Sequence, residues 1–384
     1  MNYPLFKVHI KKEEALLKIE KVFDSGFINE GETVNEFLSE LKKYLGVQNL
    51  ILVNSCTSAL TIALKICGVG PDTEVITTAM TCVATNTPII NLGGEVVWAD
   101  ITASTGNIDP DDISKKISKR TRAILYVNWG GTPAEIEKIY KIGKDNNIPV
   151  IQDAAHSFGA KWQGAPISDF ADFTCYSFQA IKHLSSGDGG AIVINDQYKN
   201  TLARKLKWFG YDRDAAKDEK GEWKGQRWEA DIEKGEVGYK FNMNNVSAAI
   251  GLSQMKHIDK ILSTHRKNAS VYANIFKNTK LIKSLEVPVD ASSSYWVYTC
   301  LVSDSNIRDI LLEKLNEIGI GAGLVHLPND NYSAFNEFKV SLPETRLFEK
   351  HQISLPCGWW LSESDCEHIA MQTLEILSAI SNSK

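Results

Sequence analysis

AILYVNW (Ala123–Trp129) and IPVIQD (Ile148–Asp153), with the amphipathic stretch Ala134–Asp145 between them, decide the fold. Neither run alternates apolar with polar residues. A parallel strand covered on both faces has no wet side to present, so it reads as a continuous hydrophobic run. Similar runs lie on either side: Leu50–Val53, EVITT (Glu74–Thr78), EVVWAD (Glu95–Asp100), DFTCYSF (Asp172–Phe178) and GAIVIND (Gly190–Asp196). Thr57–Cys67 and Pro110–Ser118 are further amphipathic segments between them. This alternation predicts an α/β protein with a mostly parallel seven-stranded sheet flanked by helices.

Past Gly190 the pattern changes. Gln197–Trp208 reads as a helix, and Tyr211–Gly238 is charged, tryptophan-bearing and aperiodic. A connection that long inside a compact domain is usually functional or disordered. Asn244–Phe276 reads as one long helix able to bend and link two lobes, Ser294–Val302 as a strand, and Asn306–Glu317 and Glu363–Ile380 as helices. The expected organisation is a large α/β domain over 11–255 and a smaller C-terminal α+β domain over 256–384.

The 384 residues are 43% hydrophobic, which suits a sizeable core, and the net charge of -5 comes without a long basic run. Nothing in that balance draws the chain to nucleic acid or to an anionic membrane. No apolar run is long enough to span a bilayer, and MNYPLFKVHIKKEEALL lacks the charged-then-apolar order of a signal peptide. Seven scattered cysteines, never spaced CxxC, argue for reduced thiols and against a disulfide framework or zinc site. A cytoplasmic protein without a metal is expected.

Ligands of open α/β sheets collect at the carboxyl ends of the strands. NSCTSAL (Asn54–Leu60) puts small hydroxyl residues at a helix start, where free N–H groups and the helix dipole favour an anion; taken alone, plain N-capping by Ser55 or Thr57 is the better explanation. Asp153 ends a buried strand, a costly place for a carboxylate that is neither paired nor functional; a helix N-cap is the other explanation. His156 follows it closely and by itself reads as a loop or packing residue. Lys182 lies between DFTCYSF and the glycine-rich Gly187–Gly190, which leads into the next strand. A lysine desolvated there can form a Schiff base and move protons, whereas the glycines alone would equally make a hairpin turn.

The order of these pieces resembles the DegT/DnrJ/StrS family of sugar aminotransferases over nearly the full chain. The matching segments are Ser25–Gly31, NSCTSAL, TAMTCVATNT (Thr78–Thr87), IQDAAHSFGA (Ile151–Ala160), SFQAIKHLSSGDGG (Ser177–Gly190), GYKFNMNNVSAAIGLSQM (Gly238–Met255) and VHLP (Val325–Pro328). The resemblance implies the fold of type I enzymes dependent on pyridoxal 5'-phosphate. It implies Lys182 as the aldimine lysine and proton shuttle, Asp153 as the partner of the pyridine nitrogen, and His156 beside the ring hydroxyl. Cys56, Thr57 and Ser177 match phosphate-binding positions, and Lys240 matches a residue offered to the neighbouring subunit's cofactor, which implies a homodimer with shared active sites. Position-matched residues for the sugar side are Phe27, Asn29, His326 and Tyr332.

The implied reaction moves an amino group from L-glutamate to a nucleotide-linked keto sugar, broadly a 4-keto-6-deoxyhexose. The chain departs from the family pattern at Cys82, where relatives carry a ring-stacking aromatic, at Cys56, where a glycine is common, and at Gln179 and His183. Sister sugar dehydratases have His in place of the aldimine lysine; here Lys182 is present and His183 is its neighbour, which favours transamination. A nucleotide-sugar dehydratase and a cofactor-binding homologue without turnover are the alternatives. Trp359 and Trp360 either line a sugar pocket or close the core of the smaller domain, the latter being favoured.

Overall fold

The computed structural model describes residues 2–211, 232–233 and 235–382. Most of the aperiodic segment Tyr211–Gly238 therefore lies outside the described residues. The hydrophobic runs become β1 (Leu50–Val53), β2 (Glu74–Thr77), β3 (Glu95–Trp98), β4 (Thr121–Val127), β5 (Val150–Asp153), β6 (Phe173–Ser177) and β7 (Gly190–Ile194). They form one seven-stranded sheet in the order β1-β7-β6-β5-β4-β2-β3. Only β7 is antiparallel to its neighbours; every other adjacent pair is parallel.

Successive residues of each strand feed opposite cores, which is why the runs look continuous. Leu50, Leu52, Ile124, Tyr126 and Val150 face one core, with α2 (Glu32–Leu45), α6 (Ile136–Asp145) and α8 (Asn245–Gln254) closing it. Ile51, Val53, Ala123, Leu125 and Ile151 face the other, covered by α3 (Cys56–Ile66), α4 (Val83–Asn91) and α7 (Gln197–Leu206). Gln152, a polar residue inside β5, donates its amide N–H to the Tyr126 hydroxyl at 2.7 Å. The edge strand β3 is buried only at alternate positions.

The connection between β6 and β7 is a broad hairpin, so the glycine-rich turn and the lysine belong to one element. Phe178 N donates to Gly189 O and Ser186 N to Phe178 O, each at 2.8 Å. Gly190 pairs with Val53 on one side and Ser177 on the other. A Cβ there would stand 2.5 Å from Ser55 C and 2.6 Å from Cys56 N, backbone atoms that have no rotamer to escape into. Gly190→Ala should therefore cost about 1–3 kcal/mol, read as a lowered urea midpoint with the slope unchanged; an unaltered midpoint would contradict this close approach.

The helix expected over Asn244–Phe276 is divided by a tight turn at Met255–His257 into α8 and α9 (Ile258–Phe276). At the break, Gln254 and His257 engage His9 and Glu14 of the N-terminal segment, at 2.9 Å and 3.0 Å. The strand read from Ser294 begins only at Tyr298. β8 (Ile282–Ser284), β9 (Tyr298–Val302) and β10 (Gln352–Leu355) make an antiparallel three-stranded sheet. Its core joins Tyr272 and Phe276 of α9 to Leu311 of α10 (Ser305–Glu317) and Leu377 of α12 (Glu363–Asn382). Trp360 packs against this core, in line with the core reading, whereas Trp359 donates its ring N–H to the Lys7 carbonyl at 3.1 Å outside it.

Two clamps join the sheets and so position the site. Asp100 accepts from the backbone N–H groups of Glu344 and Thr345, at 3.0 Å and 2.8 Å, at the start of α11 (Pro343–His351). Asn329 donates to the Thr81 carbonyl at 2.7 Å and accepts from Asn86 at 2.9 Å, pinning the His326–Tyr332 loop on α4 and the segment before it.

Candidate active site

Asp153 ends β5 in register with Val127 on β4 and Cys175 on β6. No helix follows it, so the N-cap explanation falls. Its carboxylate is buried; Oδ2 accepts from Thr85 Oγ1 at 2.8 Å and Oδ1 from Ala155 N at 3.0 Å. The Cys56 thiol lies 3.8 Å from Oδ1. Burial pushes the Asp153 carboxyl up from its ordinary value, while the Ala155 N–H, the Thr85 hydroxyl and the Lys182 charge restrain the rise.

The Lys182 amine is enclosed even though the residue as a whole is partly exposed. Burial pushes it down to about 8, against the opposing pull of Asp153, Cys82 and Cys56. At that value a substantial minority of the amine is neutral near physiological pH, where almost none would be at the ordinary value, and a nucleophile and proton carrier requires that form. Nζ lies 3.5 Å from the centroid of the Trp296 ring. His156 stacks on Trp296 at 4.0 Å between centroids, and its Nε2 is 3.5 Å from His326 Nε2. Desolvation holds the His156 imidazole well below its usual value and pushes His326 down to about 3, with the Lys182 charge adding to both. Both rings are therefore neutral and able to offer one donor and one acceptor.

The amino end of α3 sits beside Gly190. Ser55 caps it, accepting from Ser58 N at 3.1 Å, so the capping explanation of Ser55 is correct. The first helical N–H groups, at Cys56 and Thr57, belong to the turn whose donors have no intrahelical acceptor. Ser177 flanks Gly190 on the other strand, its Oγ 3.3 Å from Gln179 N.

The structure thus gathers Cys56, Asp153, His156, Lys182 and His326, with Cys82, the residue before α4, within electrostatic reach of the lysine, Ser177 paired with Gly190, and Thr57 one residue past the Ser55–Cys56 backbone that Gly190 approaches. Phe27, Asn29 and Lys240 form a separate group beyond β1. Asn242 bridges to Val53, takes a bond from Lys240 Nζ, and donates to Asn29 Oδ1 at 3.0 Å. Phe27 is exposed, and its carbonyl accepts from Asn245 at 2.7 Å. Tyr332 is exposed on the loop that Asn329 pins. Sequence reasoning did not single out Thr85 or Trp296. Thr85 lay inside a quoted segment, and a hydroxyl one helical turn past Thr81 was its only signal; Trp296 had none, because its role exists only through packing.

These residues fit pyridoxal phosphate. A buried carboxylate can face a ring nitrogen, and the buried His156 Nδ1, which has no hydrogen-bond partner among the described residues, is available to a ring substituent. The start of α3, kept close by a glycine that leaves no room for a side chain, suits the phosphate.

Comparison with known proteins bears on the family and the fold. The family model described as the DegT/DnrJ/EryC1/StrS aminotransferase family matches residues 9–373. The UDP-4-amino-4-deoxy-L-arabinose–oxoglutarate aminotransferase of Shewanella sediminis is 31% identical over 379 residues, covering 95% of this chain and 96% of that protein. Among solved structures, AtS13 from Actinomadura melliaura is 33% identical with a TM-score of 0.90, over 97% of this chain and 98% of its own. The sugar aminotransferase CalS13 from Micromonospora echinospora is 31% identical with a TM-score of 0.89, over 97% and 99%.

Proposed function

Because this chain belongs to the DegT/DnrJ/EryC1/StrS aminotransferase family, whose enzymes depend on pyridoxal phosphate, we propose that it carries the amino group of L-glutamate to a nucleotide-linked keto sugar through Lys182. The observation that carries the residue assignment is the enclosed Lys182 amine, depressed to about 8 and gathered with Asp153, His156 and His326. Pyridoxal phosphate, when bound, supplies an electron sink for the carbon that loses its proton. Lys182 Nζ takes that proton and returns it, serving both halves of a ping-pong cycle. Asp153 would hold a proton on the ring nitrogen, and Thr85 and the Ala155 N–H hold Asp153 in place. The first N–H groups of α3, with Thr57 and Ser177, would bind the phosphate, and His156 would orient the ring hydroxyl. Cys82 stands at the position where relatives present an aromatic side chain.

His326, on the loop pinned by Asn329, is the residue best placed to meet the sugar, with Tyr332 further out. The Asn29–Lys240 group is tied through Asn242 to the end of β1, and the family resemblance supports its service to a partner subunit in a homodimer. A 4-keto-6-deoxyhexose is the expected acceptor, the division at 255/256 the expected domain boundary, and the cytoplasm the expected location. Among the described residues, no helix is long and apolar enough to cross a membrane.

The test is the absorbance of the protein with added pyridoxal phosphate, before and after L-glutamate, followed by a panel of nucleotide keto sugars assayed for amino-sugar product. Loss of the visible band with glutamate, and its return with a keto sugar, is the expected course. A band indifferent to glutamate would sink the donor assignment. Thr85→Val removes a hydroxyl from the Asp153 carboxylate at nearly constant shape. It should lower kcat/KM about tenfold to a hundredfold, the worth of a hydrogen bond to a charged group, with the melting temperature changed far less.

A further inference from the structure

Trp296 is 3% exposed and held from several directions. Its indole N–H donates to the carbonyl of Ile181, the residue before the lysine, at 2.9 Å, and its backbone N–H donates to Gly130 O at 2.8 Å. Phe6 of the N-terminal segment stacks on it at 4.6 Å and 20°, and His156 at 4.0 Å and 17°. A ring so bonded and packed cannot swing away. The Lys182 Nζ lies 3.5 Å from its centroid, well inside the range over which an aromatic face attracts a cation.

We propose that Trp296 is a positioning residue for Lys182, its ring face being the seat on which the lysine ammonium rests whenever the amine is not joined to the cofactor. This rests on the assignment of Lys182 above. A base that gives up and takes back a proton must stay beside its substrate in both states, and a long lysine side chain does so only if the charged state has a fixed partner. The other groups facing the amine are the Asp153 carboxylate, the thiols of Cys56 and Cys82, and the imidazoles of His156, His183 and His326. Burial holds the imidazoles neutral, so they do not attract the ammonium as anions would. Asp153 is already engaged by Thr85 and Ala155. Asp153 acts on the amine through its charge, whereas the indole face lies in contact with it and adds no further ionised group.

The test is the rate at which cofactor-free, full-length protein captures added pyridoxal phosphate, followed by the visible band across pH, since only the neutral amine attacks the aldehyde. Trp296→Leu should move the midpoint of that profile down by about half a unit to a unit and a half, the loss of a desolvated cation–aromatic contact. Trp296→Phe should keep most of it. Fluorinated tryptophans placed at 296 preserve the shape while draining the ring face, so the midpoint should fall stepwise with fluorine count even if the leucine variant does not fold. A purely structural role would change the plateau rate and leave the midpoint where it was. A normal capture with a midpoint indifferent to the ring overturns the seat alone. A wild-type chain that captures no cofactor on Lys182 overturns the lysine assignment and the seat with it.

Discussion

Lys182→Ala is expected to abolish the visible band with pyridoxal phosphate and to lower amino transfer by at least about a hundredfold to ten-thousandfold, the contribution of a positioned general base. The argument is local and specific. The amine occupies the broad hairpin between β6 and β7, enclosed beside Asp153, and burial has already brought it down to about 8. Lys182 is the lysine whose charge acts on both Asp153 and His156, so alanine there removes the amine from the group that needs it. The wild-type amine should also react with small aldehydes over a pH range centred about 8 rather than near 10.5. The sign follows from desolvation, which disfavours the charged form. Borohydride trapping followed by peptide mapping checks both points, and cofactor found on a different lysine would refute the assignment.

Asp153→Asn is the second large effect. The amide keeps the shape and can still accept from Thr85 or Ala155, but it cannot hold a proton on a ring nitrogen. Turnover should fall about a hundredfold to a thousandfold, as when one preorganised electrostatic partner of a developing charge is lost, while cofactor capture persists. Removing the carboxylate also removes the largest of the effects that raise the Lys182 value, so the amine should titrate below its wild-type position. Full turnover in this variant would leave the buried carboxylate without the proposed role.

Much of this was legible in advance, for identifiable reasons. Hydrophobic runs at β1, β4, β5 and β6 announced a sheet buried on both faces because alternate residues such as Ile124 and Leu125 enter different cores. The limits of the runs were less legible. AILYVNW continues to Trp129, yet β4 stops at Val127, where the Asn128 side chain accepts from Ala134 N at 3.1 Å and donates to Ser157 Oγ at 3.0 Å. The chain then turns through Gly130 and Gly131 at φ 59° and 100°, a conformation a strand does not contain. Gly131 also leaves no room for a side chain, because a Cβ on it would meet Ser294 Oγ at 2.7 Å and His156 O at 2.8 Å.

The sequence by itself determined the α/β order of elements and the residues at strand ends whose chemistry is written in their immediate neighbours: Asp153 closing VIQD, and Lys182 before its glycines. Short-range periodicity and the cost of a buried charge act over a few residues, so they can be read locally. Only the tertiary structure decided that β7 runs against its neighbours, that Thr85 holds Asp153, and that Trp296, Phe6 and His326 converge on the lysine from distant segments. Those contacts arise where segments far apart in the sequence pack over the strand ends of the large sheet, and packing complementarity leaves no mark on the sequence around any one of its members.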